Sequence, residues 1–357
     1  MTTTLVGVGL IAFNRQFFLP RPIKGYMMSV SVDALMLYDN TRLSEYKRCP
    51  RKFLFRHVFH LKPDGRETAL VFGGAWHAAM DQFWAHATKV RKDELVKLMY
   101  AAWLEHWCNE GLPHPSEIDY EMEKELAPRT PGNALEMIVG YVDDRWSRVN
   151  DFEVIDIERP FAVPLDPSNP NLFYIGKIDK IVRYRGKIQG LEHKTTTAYK
   201  KNGPFRSAFL DSFSPNAQVD GYIFALHMMF PGEVRGVWVD GALVHKTEQG
   251  FQFIPVERQL AQLDSWLWEV QEWIGQIEFN KKRLHDCKAT DPYLRAFPKN
   301  TNSCHDFNRS CLYIDLCKGL PNPLKLAADD PPLGFSREAW NPLEHVKGLE
   351  KVLQDGS

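Results

Sequence analysis

Two apolar segments near the middle of the chain limit its fold more than any other feature. Residues 173–183 and 187–194 are rich in Val, Ile, Phe and Tyr, and Arg185-Gly186 between them is a turn signal. The pattern therefore predicts two strands that pair across a tight turn. A further strand is predicted just before them, at residues 153–164.

Apolar residues at helical spacing lie on both sides of these strands. The predicted elements before the strands are helices at 43–61, 70–89, 93–110, 117–126 and 133–149. Those after the strands are a helix at 216–229, strands at 234–244 and 250–256, and a long helix at 257–282. Pro50 breaks the first helix, because proline lacks a backbone N–H. The order predicts an α/β fold, with a mixed central β-sheet flanked by α-helices, a helical N-terminal part and a cysteine-bearing C-terminal segment.

The overall charge neither indicates nor excludes a nucleic-acid binder. The 357 residues include 44 basic and 45 acidic side chains, for a formal net charge of −1. A basic balance is the usual footprint of such binders, but a neutral protein can bind a backbone in a local groove where metal ions supply positive charge. No apolar run reaches the roughly 18 residues of a membrane span. We therefore expect a cytoplasmic protein with no membrane partner.

Two carboxylates and a lysine occur on the paired strands. Asp179 lies in the first strand, and Glu192 and Lys194 lie two residues apart in the second, hence on one face with His193 opposite. A tight turn would bring the two carboxylates together, where they repel unless a divalent cation such as Mg²⁺ binds them. Lys194 could then stabilise negative charge in phosphodiester hydrolysis. A solvated strand edge with a surface ion pair is the competing interpretation.

Five short motifs follow one another along the chain. They are Leu43-Ser44-Glu45-Tyr46 together with Cys49-Pro50-Arg51-Lys52-Phe53, then Gly73-Gly74-Ala75-Trp76-His77, Gly176-Lys177-Ile178-Asp179, Glu192-His193-Lys194-Thr195, and Gln218-Val219-Asp220-Gly221-Tyr222. Over residues 42–318, their types and order resemble the PD-(D/E)XK nuclease superfamily, specifically its RecB-like branch. That branch includes CRISPR-associated and phage- or prophage-encoded exonucleases.

The resemblance implies a restriction-endonuclease-like core and a Mg²⁺- or Mn²⁺-dependent exonuclease whose partner is single-stranded DNA or duplex ends. Lys194 would be the catalytic lysine, and Gln218 and Tyr222, on one helix face, would orient it or contact DNA. The implied metal ligands are His77, Asp179, Glu192 and the backbone carbonyl of His193. Without the resemblance, His77 would be interpreted as a structural or solvated histidine, and the Gln218–Tyr222 pair as an ordinary helix surface.

Three of the six cysteines lie close together near the end of the globular part. Cys304, Cys311 and Cys317 favour a soft metal or an iron–sulfur cluster, with Cys49 as the candidate fourth ligand. The resemblance implies a [4Fe–4S] cluster, since cluster-bearing RecB-like members hold one with a cysteine before the core and three after it. Here the first gap is longer than in the usual Cys-x2-Cys-x5-Cys spacing, whereas the last gap fits. The competing interpretations are zinc, with His305 as an alternative ligand, and buried free thiols.

A basic segment with interleaved aromatic residues lies at residues 47–59. Its members are Lys47, Arg48, Arg51, Lys52 and Arg56, with Phe53, Phe55 and Phe59. Lys200 and Lys201 add charge after the second strand. Basic side chains can contact phosphates, and aromatic rings can stack on bases. We expect these aromatic residues to be core instead, and the charges to have a mixed role.

These features divide the chain into three parts. Residues 1–28 are an uncertain leader, residues 29–320 form the nuclease domain, and residues 321–357 are a C-terminal tail. The tail is rich in proline and charge, and we expect it to be loosely packed as far as about residue 337. The expected subdivisions of the domain are a helical insertion at about 80–150 and the cysteine cluster at 304–317.

The function that these features favour is DNA hydrolysis in recombination, repair or phage DNA processing. The sequence contains no P-loop motif, so a helicase partner would be a separate chain. The main alternative is a catalytically silent RecB-like DNA-binding or scaffold subunit of a helicase–nuclease complex. Asp179, Glu192 and Lys194 together argue against it, because a scaffold needs none of the three. A third hypothesis is a zinc or iron–sulfur protein with no role on DNA.

Overall fold

The computed structural model describes residues 35–65, 67–201, 203–306, 309–327 and 330–355. The expected leader, at residues 1–28, lies outside this part of the chain. Among the helices described, none has both the length and the apolar character needed to cross a membrane.

Within the described residues, six strands form one central sheet in the order β1-β4-β5-β6-β7, with β3 also paired to β4. The strands of the protein are β1 (Met36–Tyr38), β2 (Leu61–Pro63), β3 (Phe152–Pro164), β4 (Leu172–Tyr184), β5 (Lys187–Thr196), β6 (Val234–Leu243), β7 (Phe251–Val256), β8 (His305–Asp306), β9 (Arg309–Ser310) and β10 (Phe335–Arg337). Two short pairs, β2 with β10 and β8 with β9, lie outside the central sheet.

The central sheet is organised around β4, which pairs along both edges. β3 runs antiparallel along one edge, and β5 pairs antiparallel with the other. The turn between β4 and β5 has positive φ at Arg185 and Gly186, 50° and 77°, as a two-residue type I′ hairpin turn requires. β1 is parallel to β4, β6 is parallel to β5, and β7 is antiparallel to β6. The predicted mixed sheet is confirmed.

Helices cover both faces of this sheet, as predicted. They are α1 (Asn40–Arg48), α2 (Pro50–Phe53), α3 (Thr68–His86), α4 (Lys92–Asn109), α5 (Tyr120–Leu126), α6 (Pro131–Arg145), α7 (Ser207–Asp211), α8 (Ala217–Met229), α9 (Leu260–His285), α10 (Ile314–Gly319), α11 (Pro342–His345) and α12 (Leu349–Asp355). One core contains residues of α3, α4 and α6, and another contains residues of α1, α8 and α9. The site described below therefore has α3 on one side and α8 on the other.

The predicted break in the first helix is confirmed. Cys49 is extended, with φ −162° and ψ 111°, and separates α1 from α2. Pro50 is the first residue of α2, where its missing N–H costs no hydrogen bond. A π-helical turn, Leu54–Val58, follows directly.

The basic segment, residues 47–59, turns its aromatic side chains inward, as expected. The buried aromatic residues are Phe53, Phe55 and Phe59. Some of its charges are used within the protein: Lys52 pairs with Glu45 at 3.1 Å, and Arg51 donates to the carbonyl of Phe297 at 2.9 Å. The rings of this segment are therefore core and not base-stacking groups.

The described part of the C-terminal tail packs against the core. β10 pairs antiparallel with β2, and α12 buries Leu349 and Leu353 in a cluster that includes Phe173 of β4. Loose packing was expected as far as about residue 337, so the expectation is wrong for β10, whereas α12 lies beyond that limit. Although the tail is rich in proline and charge, α12 contains the apolar residues Leu349, Val352 and Leu353, and they pack in this cluster. The division of the chain into leader, domain, insertion and tail stays a prediction.

Candidate active site

The hairpin of β4 and β5 brings the two predicted carboxylates together. Its paired register runs as far as Lys180 and Leu191, so Asp179 and Glu192 are the next residues to face each other. The backbone N–H of His193 donates to Oδ2 of Asp179 at 2.9 Å. The side chain of Asp179 therefore links β4 to β5 at the end of the hairpin opposite the turn.

His77 reaches the same carboxylate from α3. Its Nδ1 atom lies 3.1 Å from Oδ2 of Asp179. Burial acts to lower the pKa of His77, but the charge and hydrogen bond of Asp179 and the charge of Glu192 together outweigh it, and the pKa is raised. Burial acts in turn to raise the pKa of Asp179, but the charge and hydrogen bond of His77 hold it well below its usual range. Asp179 is thus an ionised carboxylate.

Glu192 and Lys194 share one face of β5, as the two-residue period of a strand predicts. Nζ of Lys194 lies 2.5 Å from Oε1 of Glu192. The other carboxylate oxygen, Oε2, is buried and has no hydrogen-bond partner among the described residues. Burial and the charge of Asp179 raise the pKa of Glu192 to about 7. The ionised form of Glu192 is therefore unfavourable in this buried site.

A third carboxylate, Glu158 of β3, lies at this site and was not found by the sequence analysis. One ligand atom each from His77, Glu158 and Asp179 lie within 4.8 Å of one another. The register of β3 against β4 places Glu158 opposite Asp179. No local signal marks Glu158, because it is one of several charged residues in a predicted strand. Only the pairing of the strands brings it here.

This set of donors fits a hard divalent cation. Carboxylate oxygens are the ligands that Mg²⁺ and Mn²⁺ prefer, and an imidazole nitrogen is compatible with them. The unpartnered Oε2 of Glu192 is a buried acceptor that lacks a positive partner. Among the described residues, His77, Glu158 and Asp179 have the spacing of a single-ion site, whereas Glu192 lies outside that spacing.

Gln218 and Tyr222 lie one turn apart on α8 and contact each other. Nε2 of Gln218 donates to the hydroxyl of Tyr222 at 2.9 Å. Tyr222 is buried, and burial together with the charges of Glu192 and Asp179 raises its pKa well above the usual value. The interpretation of this pair as an ordinary helix surface is wrong for Tyr222, which lies beside the carboxylates.

The side chain of His193 lies on the opposite face of β5 and belongs to a buried polar network. Its Nδ1 atom lies 3.3 Å from Oδ2 of Asp240, the residue beside it on β6. Asp240 accepts a hydrogen bond from the hydroxyl of Tyr141 at 2.6 Å and one from Arg145 at 2.7 Å. No role for this histidine side chain was predicted from the sequence, and no local signal marks the network, because its members come from separate elements.

The cysteines of the candidate cluster lie where the early and late parts of the chain meet. The backbone N–H of Asn300 donates to Sγ of Cys49 at 3.4 Å, and that of Cys311 donates to the carbonyl of Cys304 at 2.8 Å. Burial raises the pKa of Cys317, and the nearby thiols of Cys49 and Cys311 add to the shift. Among the described residues, the 4.8 Å ligand spacing of the carboxylate site is not met by these cysteines. They are neighbours, but not at the spacing of a preformed single-ion site.

A family model of the PD-(D/E)XK nuclease superfamily matches residues 40–318, well over half of the chain. The chain belongs to this superfamily. The expected family is thus confirmed, and the mixed sheet with helices on both faces is consistent with a restriction-endonuclease-like core. Membership supports a nuclease whose substrate is DNA.

Solved structures with some likeness to this PD-(D/E)XK chain include two from bacteria. A candidate exonuclease from Eubacterium rectale is 15% identical, covers 71% of this chain and 82% of its own, and has a TM-score of 0.38. The alkaline exonuclease LHK-Exo from Laribacter hongkongensis is 13% identical, covers 61% of this chain and 98% of its own, and has a TM-score of 0.22. Likeness at this level carries no argument about function. Among curated proteins, none matches the chain.

Proposed function

We propose that this PD-(D/E)XK protein is a Mg²⁺- or Mn²⁺-dependent deoxyribonuclease, most simply an exonuclease of the RecB-like branch. The observation that supports it best is the convergence of His77, Asp179, Glu192 and Lys194 at the end of one hairpin. A solvated strand edge does not account for this arrangement, because Asp179 and Glu192 are both buried. Buried carboxylates without a cation are costly.

Each residue of this site would have a separate role in phosphodiester hydrolysis. His77, Asp179, Glu192 and the backbone carbonyl of His193 would hold the metal ion. Such an ion, when bound, polarises a phosphate oxygen and lowers the pKa of water. Lys194, kept protonated beside Glu192, supplies a positive charge for the oxygens of the scissile phosphate. Because Tyr222 is buried beside the carboxylates, it and Gln218 would orient the lysine or the DNA strand.

The RecB-like branch and a role in recombination, repair or phage DNA processing are further parts of the proposal. They rest on the order of the five motifs and on the cysteines that flank the core. A helicase or recombination protein would be a separate partner. The cytoplasmic location stays a prediction.

The proposal is tested by incubating end-labelled linear DNA and covalently closed circular DNA with the purified protein. With Mg²⁺ or Mn²⁺, we expect linear DNA to be degraded and circular DNA to be spared, since an exonuclease requires an end. Excess EDTA should abolish cleavage, and readdition of metal should restore it. Tight DNA binding with no cleavage under either metal would instead favour the silent scaffold subunit.

The cysteines lead to a second proposed cofactor, a [4Fe–4S] cluster held by Cys49, Cys304, Cys311 and Cys317. The support is that Cys49, from the early part of the chain, lies near the three late cysteines, so that a cluster would link these two parts. Zinc, with His305 as a substitute ligand, is the weaker alternative, because a single ion needs closer ligands.

Anaerobically purified protein is expected to show the broad charge-transfer absorption of an iron–sulfur cluster. Substituting Cys311→Ala should remove most of this absorption and the bound iron. Cys108→Ala is the matched control, since Cys108 lies in α4 and fits no ligand pattern. Stoichiometric zinc, or no metal, in anaerobic wild-type protein would contradict the cluster.

A further inference from the structure

Basic side chains of the protein itself pair with the carboxylates around the active site. The pairs are Lys180 with Asp81, Lys194 with Glu192, and Lys177 with Glu158. In the first two pairs one partner is almost completely buried. In the third, solvent reaches both side chains, since Lys177 is 35% and Glu158 27% exposed. The Lys177–Glu158 pair is therefore the easiest to exchange for another cation.

Glu158 also has a backbone conformation that its side chain does not favour. Its φ is 57°, in the left-handed region, although it lies within β3. Glycine adopts this conformation without steric cost, whereas glutamate does not. In this conformation Glu158 lies opposite Asp179, and one of its carboxylate oxygens is within 4.8 Å of a ring nitrogen of His77.

One carboxylate oxygen of the site lacks a partner within the described part of the chain, in spite of these ion pairs. Glu192 is only 2% exposed, and its Oε2 atom has no partner among the described residues. Asp179 is similarly buried, and its contacts are with His77 and a backbone N–H. A divalent cation held by Asp179 and His77 would lie next to Glu158 and would add positive charge to this buried site.

We propose that Glu158 is a further metal-binding residue, which exchanges Lys177 for the divalent cation at His77 and Asp179. The inference rests on the proposed function, because it concerns the same cation. It adds a ligand from β3 to the set that the motifs imply. It also assigns a second role to Lys177, whose released ammonium group becomes available to a DNA phosphate near the cation.

Mn²⁺ binding to the DNA-free protein tests this assignment without reference to nuclease activity. Free Mn²⁺ is measured by its electron paramagnetic resonance signal during titration of wild type and variants. We expect Glu158→Gln to weaken Mn²⁺ binding about tenfold or more, the order found when groups supporting a metal site are removed. Lys177→Met should act in the opposite direction and tighten binding, because the competing cation is lost. Glu153→Gln, an exposed glutamate on the same strand paired with Arg183, is the matched control and should not change the affinity.

A third variant separates metal binding from folding. Glu158→Gly removes both the carboxylate and the steric cost of the left-handed backbone. It should keep or raise the thermal midpoint of the apoprotein, yet lose Mn²⁺ affinity as Glu158→Gln does.

The possible outcomes distinguish this inference from the proposed function. If wild type binds Mn²⁺ and both Glu158 variants bind it equally well, Glu158 is not a ligand, while the metal-dependent nuclease stands. If Lys177→Met binds Mn²⁺ no more tightly than wild type, the proposed exchange of Lys177 for the cation is wrong. If wild type binds no Mn²⁺ at all, both this inference and the metal dependence of the proposed function are overturned.

Discussion

Replacing Lys194 with alanine is expected to lower the rate of DNA cleavage about 10²–10³-fold, the loss seen when a group that stabilises transition-state charge is removed. Burial acts to lower the pKa of Lys194, but the neighbouring Glu192 raises it, so the side chain is a cation. Its positive charge is held 2.5 Å from Glu192, on the carboxylate face of β5. The loss should appear in the cleavage step and not in DNA affinity, because this charge matters most when negative charge develops on the phosphate.

The measurement is single-turnover cleavage of end-labelled DNA at saturating Mn²⁺, with DNA binding followed separately by fluorescence anisotropy. Lys187→Ala is the matched control, since this lysine begins the same strand but is exposed. It should cleave at close to the wild-type rate. Asp179→Ala should be at least as impaired as Lys194→Ala. Equal cleavage rates for wild type, Asp179→Ala and Lys194→Ala would contradict the proposed active site.

Replacing Asp240 with alanine is expected to lower the free energy of unfolding by about 3–5 kcal/mol, the usual cost of removing one partner of a buried ion pair. Asp240 is 1% exposed and accepts hydrogen bonds from both Arg145 and Tyr141. Without it, the guanidinium of Arg145, only 8% exposed, stays in the interior with its buried counter-charge missing. Few single substitutions in this protein should destabilise it as much.

Urea unfolding of wild type and variants, followed by circular dichroism, measures this effect. Asp144→Ala is the matched control, because Asp144 also pairs with Arg145 at 2.5 Å but its side chain is 44% exposed. Its loss should cost only about 0–1 kcal/mol, as is usual for surface pairs. Equal destabilisation by the two substitutions would show that burial of the Asp240 network contributes nothing to the free energy of unfolding.

The elements of the fold and the faces of its strands follow from local pattern. The two-residue period of β5 places Glu192 and Lys194 on one side and His193 on the other, and the structure has them so. Arg185-Gly186 sets a two-residue turn, and that turn sets the register that brings Asp179 opposite Glu192. These relations span few residues, so steric and periodic rules are enough to predict them.

Other features of the site depend on contacts between distant parts of the chain. Glu158 faces Asp179 only because β3 pairs with β4 in one register, and Asp240 meets Arg145 only because α6 packs over β6. Neither residue differs locally from an ordinary charged residue in a strand. The packing of the C-terminal tail onto β4 is of the same kind, since its composition does not show which surface it covers.

The sequence by itself determined the family, the mixed sheet with its helical flanks, and the triplet Asp179, Glu192 and Lys194. Those are properties of short motifs and of their order along the chain. The tertiary structure decided which further charges surround that triplet: Glu158 with Lys177 beside the carboxylates, and the Asp240 network behind them. The physical reason is that periodicity sets the direction in which a side chain points, whereas the charges it meets depend on strand register and helix packing.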